Sequence, residues 1–71
     1  MKNEDDLIYD LIFSDQTSFR IGIDDYIEDI YKYESFVSKI KKILKKSKVQ
    51  IVESNVIAGL ETAIWEIKVK K

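Results

Sequence analysis

The chain has no cysteine, no histidine and no proline, only two glycines, and a single arginine among its twelve basic residues. Each scarcity removes a class of chemistry. Without Cys there is neither a disulfide framework nor a thiolate metal site. Without His the usual general base near neutral pH and the zinc-ligand sets are missing, and a triad of the Ser-His-Asp type is impossible. Gly22 and Gly59 are each isolated, so neither familiar spacing of a Gly-rich phosphate loop can be built. Long apolar runs are also lacking: nothing approaches the ~20 residues of a membrane-spanning helix, and the opening MKNEDDLIYDLIF is acidic where a signal peptide would be basic. The expectation is a soluble cytoplasmic protein that is not an enzyme, with no cofactor, no metal and no membrane partner.

What the chain does contain is 71 residues, enough for one small domain spanning 1–71. A domain of that size buries only about 60% of the surface its unfolded chain exposes, which leaves little room for a catalytic cavity. Eleven Lys and twelve Ile, with two each of Asn and Gln, point to an AT-rich or a hot host. The net charge of −1 is unevenly spread. Residues 1–34 hold ten acids and three bases, for −7, and residues 35–71 hold three acids and nine bases, for +6. Such a division marks a polyanion-binding side or a contact surface for a protein, or else acids and lysines placed at opposite helix ends by the macrodipole.

The longest periodic segment runs from Asp24 to Lys46. Tyr26, Ile30, Tyr33, Val37, Ile40 and Leu44 recur at alternating spacings of four and three, one stripe of a helix. Glu28, Ser35, Lys39, Lys42 and Lys46 fall opposite, so the second half of this stretch presents a basic outer face. Asp24 or Asp25 is placed to cap it. No Gly, Pro or Asn interrupts the stretch, yet Tyr33-Glu34-Ser35 can also turn, with Ser35 capping a second helix from Phe36.

Before it, Asn3 followed by Glu4, Asp5 and Asp6 is a helix start, and Leu7, Ile8, Leu11 and Ile12 continue it to about Phe13. A strand with Leu7, Tyr9, Leu11 and Phe13 on one face is the rival reading. Phe19, Ile21 and Ile23 alternate with polar or small residues, as in a half-buried strand. After the long stretch, Val49 and Ile51 and then Ala63, Trp65, Ile67 and Val69 alternate likewise. A turn at Ala58-Gly59-Leu60 would set Val49 opposite Val69 and Ile51 opposite Ile67. The fold class is therefore α+β in the order α-β-α(α)-β-β, with the stretch 24–46 packed on a small antiparallel sheet that ends in a C-terminal hairpin.

Two constellations invite chemistry and have simpler explanations. Asp24 with Asp25 and Glu28 with Asp29 could flank a magnesium ion if helical, but acids solvated at a helix start explain them. Tyr9, Tyr26, Tyr31 and Tyr33 could stack on bases, whereas Tyr26 and Tyr33 at helical spacing read as the rim of a core.

If the stretch breaks near 32–35, the element order resembles the winged helix-turn-helix domain of transcription regulators across nearly the whole chain. The segment SFVSKIKKILKKSKVQIVES, Ser35 to Ser54, is its most suggestive part. If the stretch does not break, one helix lies on a sheet of three or four strands. In the winged-helix family the outward residues of this helix lie in the major groove, and the following hairpin touches an adjacent groove or the phosphates. The resemblance implies a small DNA-binding protein, a transcription regulator or accessory factor of a virus or mobile element. Lys39, Lys42, Lys45, Lys46 and Lys48 would neutralise phosphates, while Ser35 and Ser38 would reach the backbone or a base edge. The turn region Lys32-Tyr33-Glu34 lacks the usual Gly. The hairpin tip Asn55–Glu61 carries Val56, Ile57 and Leu60 where basic residues would be expected. With one Arg, bidentate reading of guanine is scarce, so binding would be weakly selective unless the chain forms a homodimer. The alternative is a protein-binding regulator or inhibitor whose acidic first half is the contact surface and imitates nucleic acid.

Overall fold

The computed structural model describes residues 1–71. Its first element begins as the sequence requires: the Asn3 side-chain oxygen accepts the Asp5 N–H at 2.8 Å, and three acids occupy the first turn of α1, Glu4–Phe13. Leu7 and Leu11 are buried on one side of α1, with Ile8 and Ile12 half-buried beside them. At the other end, the Lys71 ammonium donates to the carbonyls of Ser14 and Gln16, the latter at 2.8 Å. A cation thus stands where the C-terminal end of the helix dipole favours one. The last residue of the chain thereby holds the turn between α1 and the first strand, β1, Ser18–Gly22.

The stretch 24–46 is not α-helical throughout. Ile23–Asp25 and Ile30–Lys32 form two single 3-10 turns, and the α-helix, α2, covers Tyr33–Lys46, so no turn forms at Tyr33-Glu34-Ser35 and Ser35 lies within the helix instead of capping one from Phe36. The expected cap at Asp24 or Asp25 is not made; Asp29 does the capping, its carboxylate accepting the Tyr31 N–H at 3.1 Å. The cause lies in the local sequence. Four carboxylates in six residues would repel at i and i+4 if the segment were helical, and Asp competes for nearby backbone N–H groups. Burial nevertheless follows the expected stripe: Val37, Ile40 and Leu44 are buried, and Tyr26, Ile30 and Tyr33 pack half-buried against the same core. Phe36, outside that stripe, joins them and stacks on Tyr26 with ring centroids 5.8 Å apart.

The sheet has three antiparallel strands in the order β1-β3-β2, where β2 is Gln50–Ala58 and β3 is Ala63–Lys70. The last strand of the chain is thus the central one. The hairpin differs from expectation in register. Ile51 lies opposite Val69, and a bulge at Val52 shifts the rest, so that Ser54 faces Ile67 and Val56 faces Trp65. An extra residue was required because Ile51 and Val56, five apart, both face inward, which strict alternation forbids.

Ala63, Trp65, Ile67 and Val69 point from β3 toward the helices and are buried, while Ile64, Glu66, Lys68 and Lys70 form the opposite face. That outer face bears no helix and is polar except for the Ile57–Ile64 pair near the hairpin tip: Arg20 reaches across to Glu66 at 3.9 Å. All thirteen buried residues are apolar and form one cluster with contributions from α1, α2 and the sheet. Trp65 lies fully inside it, its indole N–H donating to Ser54 Oγ at 2.9 Å.

Candidate nucleic-acid interface

Helix α2 owes its direction to its apolar side. With Phe36, Val37, Ile40 and Leu44 buried, the remaining arc of the helix carries Glu34, Ser35, Ser38, Lys39, Lys41, Lys42, Lys45 and Lys46 outward. The helix stops through main-chain geometry. Lys48 adopts the left-handed conformation, with φ 61°, its N–H bonding the Lys45 carbonyl at 3.1 Å and the Val49 N–H reaching Leu44 at 3.0 Å. These two bonds are the Schellman pattern, with the hydrophobic contact supplied by buried Val49 and Leu44.

Of the seven residues expected at the interface, the structure brings five together. Ser35, Ser38, Lys39, Lys42 and Lys46, with Glu34 at one end, line a shallow open surface along α2 that contains no apolar residue. The spacing i, i+3, i+4, i+7, i+11 places them along one side. Lys45 and Lys48 belong elsewhere. They line a neighbouring groove with Lys41, Val49, Gln50 and Ile51, between α2 and the edge of β2. Lys41 was not singled out in the sequence, although Lys41, Lys45 and Lys48 at i, i+4 and i+7 carry the signal for a second basic flank.

The five cations of α2 are not equivalent. Lys39 is held by Glu4 of α1, Nζ to Oε1 at 2.5 Å, whereas Lys41, Lys42, Lys45 and Lys46 take part in no ion pair. The other ion pair near the N-terminus joins Lys2 to Asp25 at 3.6 Å. The hairpin tip adds no positive charge. Leu60 is 88% and Ile57 53% exposed there, and Lys68 and Lys70 stand on the sheet face away from the helices. The acids Asp24, Asp25, Glu28 and Asp29 no longer share a helix side, and no three ligating side chains converge anywhere. Tyr26 and Tyr33 sit against the core, while Tyr9 pairs with Phe13 on the outside of α1 at 4.9 Å and Tyr31 projects into solvent.

No family model, curated protein or solved structure matches the chain.

The chemistry available on α2 is therefore that of ammonium groups on flexible stems and two hydroxyls. Ammonium groups act as point charges that suit phosphate oxygens, without the planar fork that fixes a base edge.

Proposed function

We propose that this protein binds nucleic acid through the outer face of α2, holding it chiefly by its phosphates. The observation that carries the reading is the convergence of Ser35, Ser38, Lys39, Lys42 and Lys46 on one open surface, whose acids are Glu34 at the margin and Glu4, paired with Lys39. Supporting the narrower winged-helix reading are the non-helical residues 26–29, which separate the first 3-10 turn from the helical run that leads into α2, and the β2–β3 hairpin that follows α2. On that reading α2 is the recognition helix. Its partner helix is reduced to the two 3-10 turns of 23–32, and the hairpin tip contributes apolar contact in place of basic residues. A transcription regulator or accessory factor of a virus or mobile element is the biological role that goes with it.

The test is a titration of labelled duplex DNA across a range of salt. With three or four lysines on phosphates, the logarithm of the association constant should fall against the logarithm of salt with a slope of about −3, and each Lys→Ala change at Lys42 or Lys46 should reduce that slope by about 1. Affinity should differ little between duplex sequences, because the face carries no Arg. Absence of binding at low salt, or binding that Lys42→Glu with Lys46→Glu leaves intact, sinks the proposal.

A further inference from the structure

Strand β2 forms one edge of the sheet and is nine residues long, with no Lys, Arg or Pro among QIVESNVIA. Proteins ordinarily blunt such an edge with those residues, with brevity, or with a bulge. Here the devices are the bulge at Val52 and the single charge of Glu53 beside it, and beyond them Ser54–Ala58 pairs in an unbroken, uncharged ladder with β3. The Gly59 N–H bonds the Thr62 carbonyl at 2.8 Å, which fixes the alternation of that ladder. The main-chain groups of Ser54, Val56 and Ala58 consequently point away from β3, where no other strand meets them.

Two grooves run along this edge between β2 and α2. One, of about 460 Å³, is lined by Lys41, Lys45, Lys48, Val49, Gln50 and Ile51. The other, of about 390 Å³, continues it past Lys41 and is lined also by Tyr33, Glu34, Val37, Ser38 and Val56. The floor is apolar, and three lysines against the one acid, Glu34, leave the combined rim basic. We infer that this edge accepts an extended acidic peptide segment of a partner protein as a fourth strand. Its main chain completes the ladder at Ser54, Val56 and Ala58, and its inward carboxylates meet Lys41, Lys45 and Lys48.

Charge selects this occupant over a second copy of the chain. Two copies joined antiparallel through β2 would place both α2 helices on the same face of a continuous sheet, each turning its Lys41–Lys45–Lys48 flank toward the other. An acidic strand neutralises that flank, where a second copy doubles it. The site uses other lysines than the nucleic-acid face proposed above: Lys41, Lys45 and Lys48 line its grooves, Lys42 and Lys46 do not, and the two surfaces meet only at Glu34 and Ser38.

The experiment uses the whole chain and a fluorescent peptide of alternating glutamate and valine, read by anisotropy and by amide hydrogen exchange. Binding should protect the amides of Ser54, Val56 and Ala58. Replacing two central residues of the peptide by proline should weaken binding at least about tenfold, since proline has no N–H to donate to the ladder. The Lys41→Glu, Lys45→Glu double variant should lose a similar factor with its circular dichroism unchanged, while Lys42→Glu with Lys46→Glu should bind the peptide normally. The inference is overturned by equal binding of the proline peptide or by protection elsewhere. Protection of these amides by concentration-dependent self-association without peptide, or displacement of the peptide by duplex DNA, overturns it equally.

Discussion

Lys48 is the one non-glycine residue with positive φ, and it stands where helix ends ordinarily place glycine. The left-handed conformation costs an L-residue with a Cβ roughly 1 kcal/mol, part of which glycine returns through its greater freedom in the unfolded chain. Lys48→Gly should therefore stabilise the protein by about 0.5 kcal/mol, raising Tm by a few degrees for a domain of this size. A thermal melt of the variant checks it, and a lowered Tm would mean that the Lys48 side chain contributes more to the fold than its backbone strain removes. In the sequence Lys48 reads only as one more cation in a basic run. Its backbone role was not legible, because no Gly or Asn marks the end of α2 and lysine rarely takes that conformation.

At the scale of elements, the two helices are joined outside the core by Glu4 and Lys39. The pair ties the first turn of α1 to the middle of α2 and withdraws one ammonium group from the proposed interface. Both side chains keep substantial solvent contact, so Glu4→Gln should cost at most about 1 kcal/mol of stability, in the range of surface ion pairs. If α2 binds phosphates, the same change should raise affinity for duplex DNA by a few-fold, the equivalent of that pair's release. Denaturation and DNA titration of one variant give both numbers, and unchanged affinity would place Lys39 outside the interface. The pairing was invisible to periodicity, which reports faces within an element and not contacts between them. Periodicity did find α1, where apolar spacing and the Asn3 cap agree, and β1 and α2, where the apolar spacing alone was enough. It overreached in 24–32, where Tyr26 and Ile30 keep a helical beat but Asp29 redirects the backbone to cap its own turn. The apolar side chains reach the core through 3-10 turns instead of an α-helix.

At the scale of the molecule, the order of the strands decides which residue matters most, and one-dimensional alternation cannot supply that order. The hairpin was legible in outline, but its register was set by a bulge, and with it the partners of the centre of β3. The candidate interface was expected as a set of seven residues, of which the fold gathers five on one side of α2 and turns two toward the edge of β2, a division that spacing alone does not show. Because β3 is the central strand, Trp65 stands between Ile21 of β1 and Val56 of β2, in the one apolar cluster that also takes in Leu7, Leu11, Phe36, Ile40 and Leu44. With a single core, the chain should unfold in one step, so Trp65 fluorescence and helical circular dichroism should give the same midpoint in denaturant. A 71-residue domain has roughly 4–10 kcal/mol of stability, and emptying a fully buried Trp site costs about 3–5 kcal/mol. Trp65→Ala should thus bring the protein to the threshold of unfolding at 25 °C. Trp65→Phe keeps most of the volume and gives up the hydrogen bond to Ser54, worth about 1 kcal/mol, and should remain folded with a lowered midpoint. If Trp65→Ala instead unfolds the sheet while leaving α1 and α2 with a cooperative transition of their own, the helices possess a core independent of Trp65 and the single-unit reading fails.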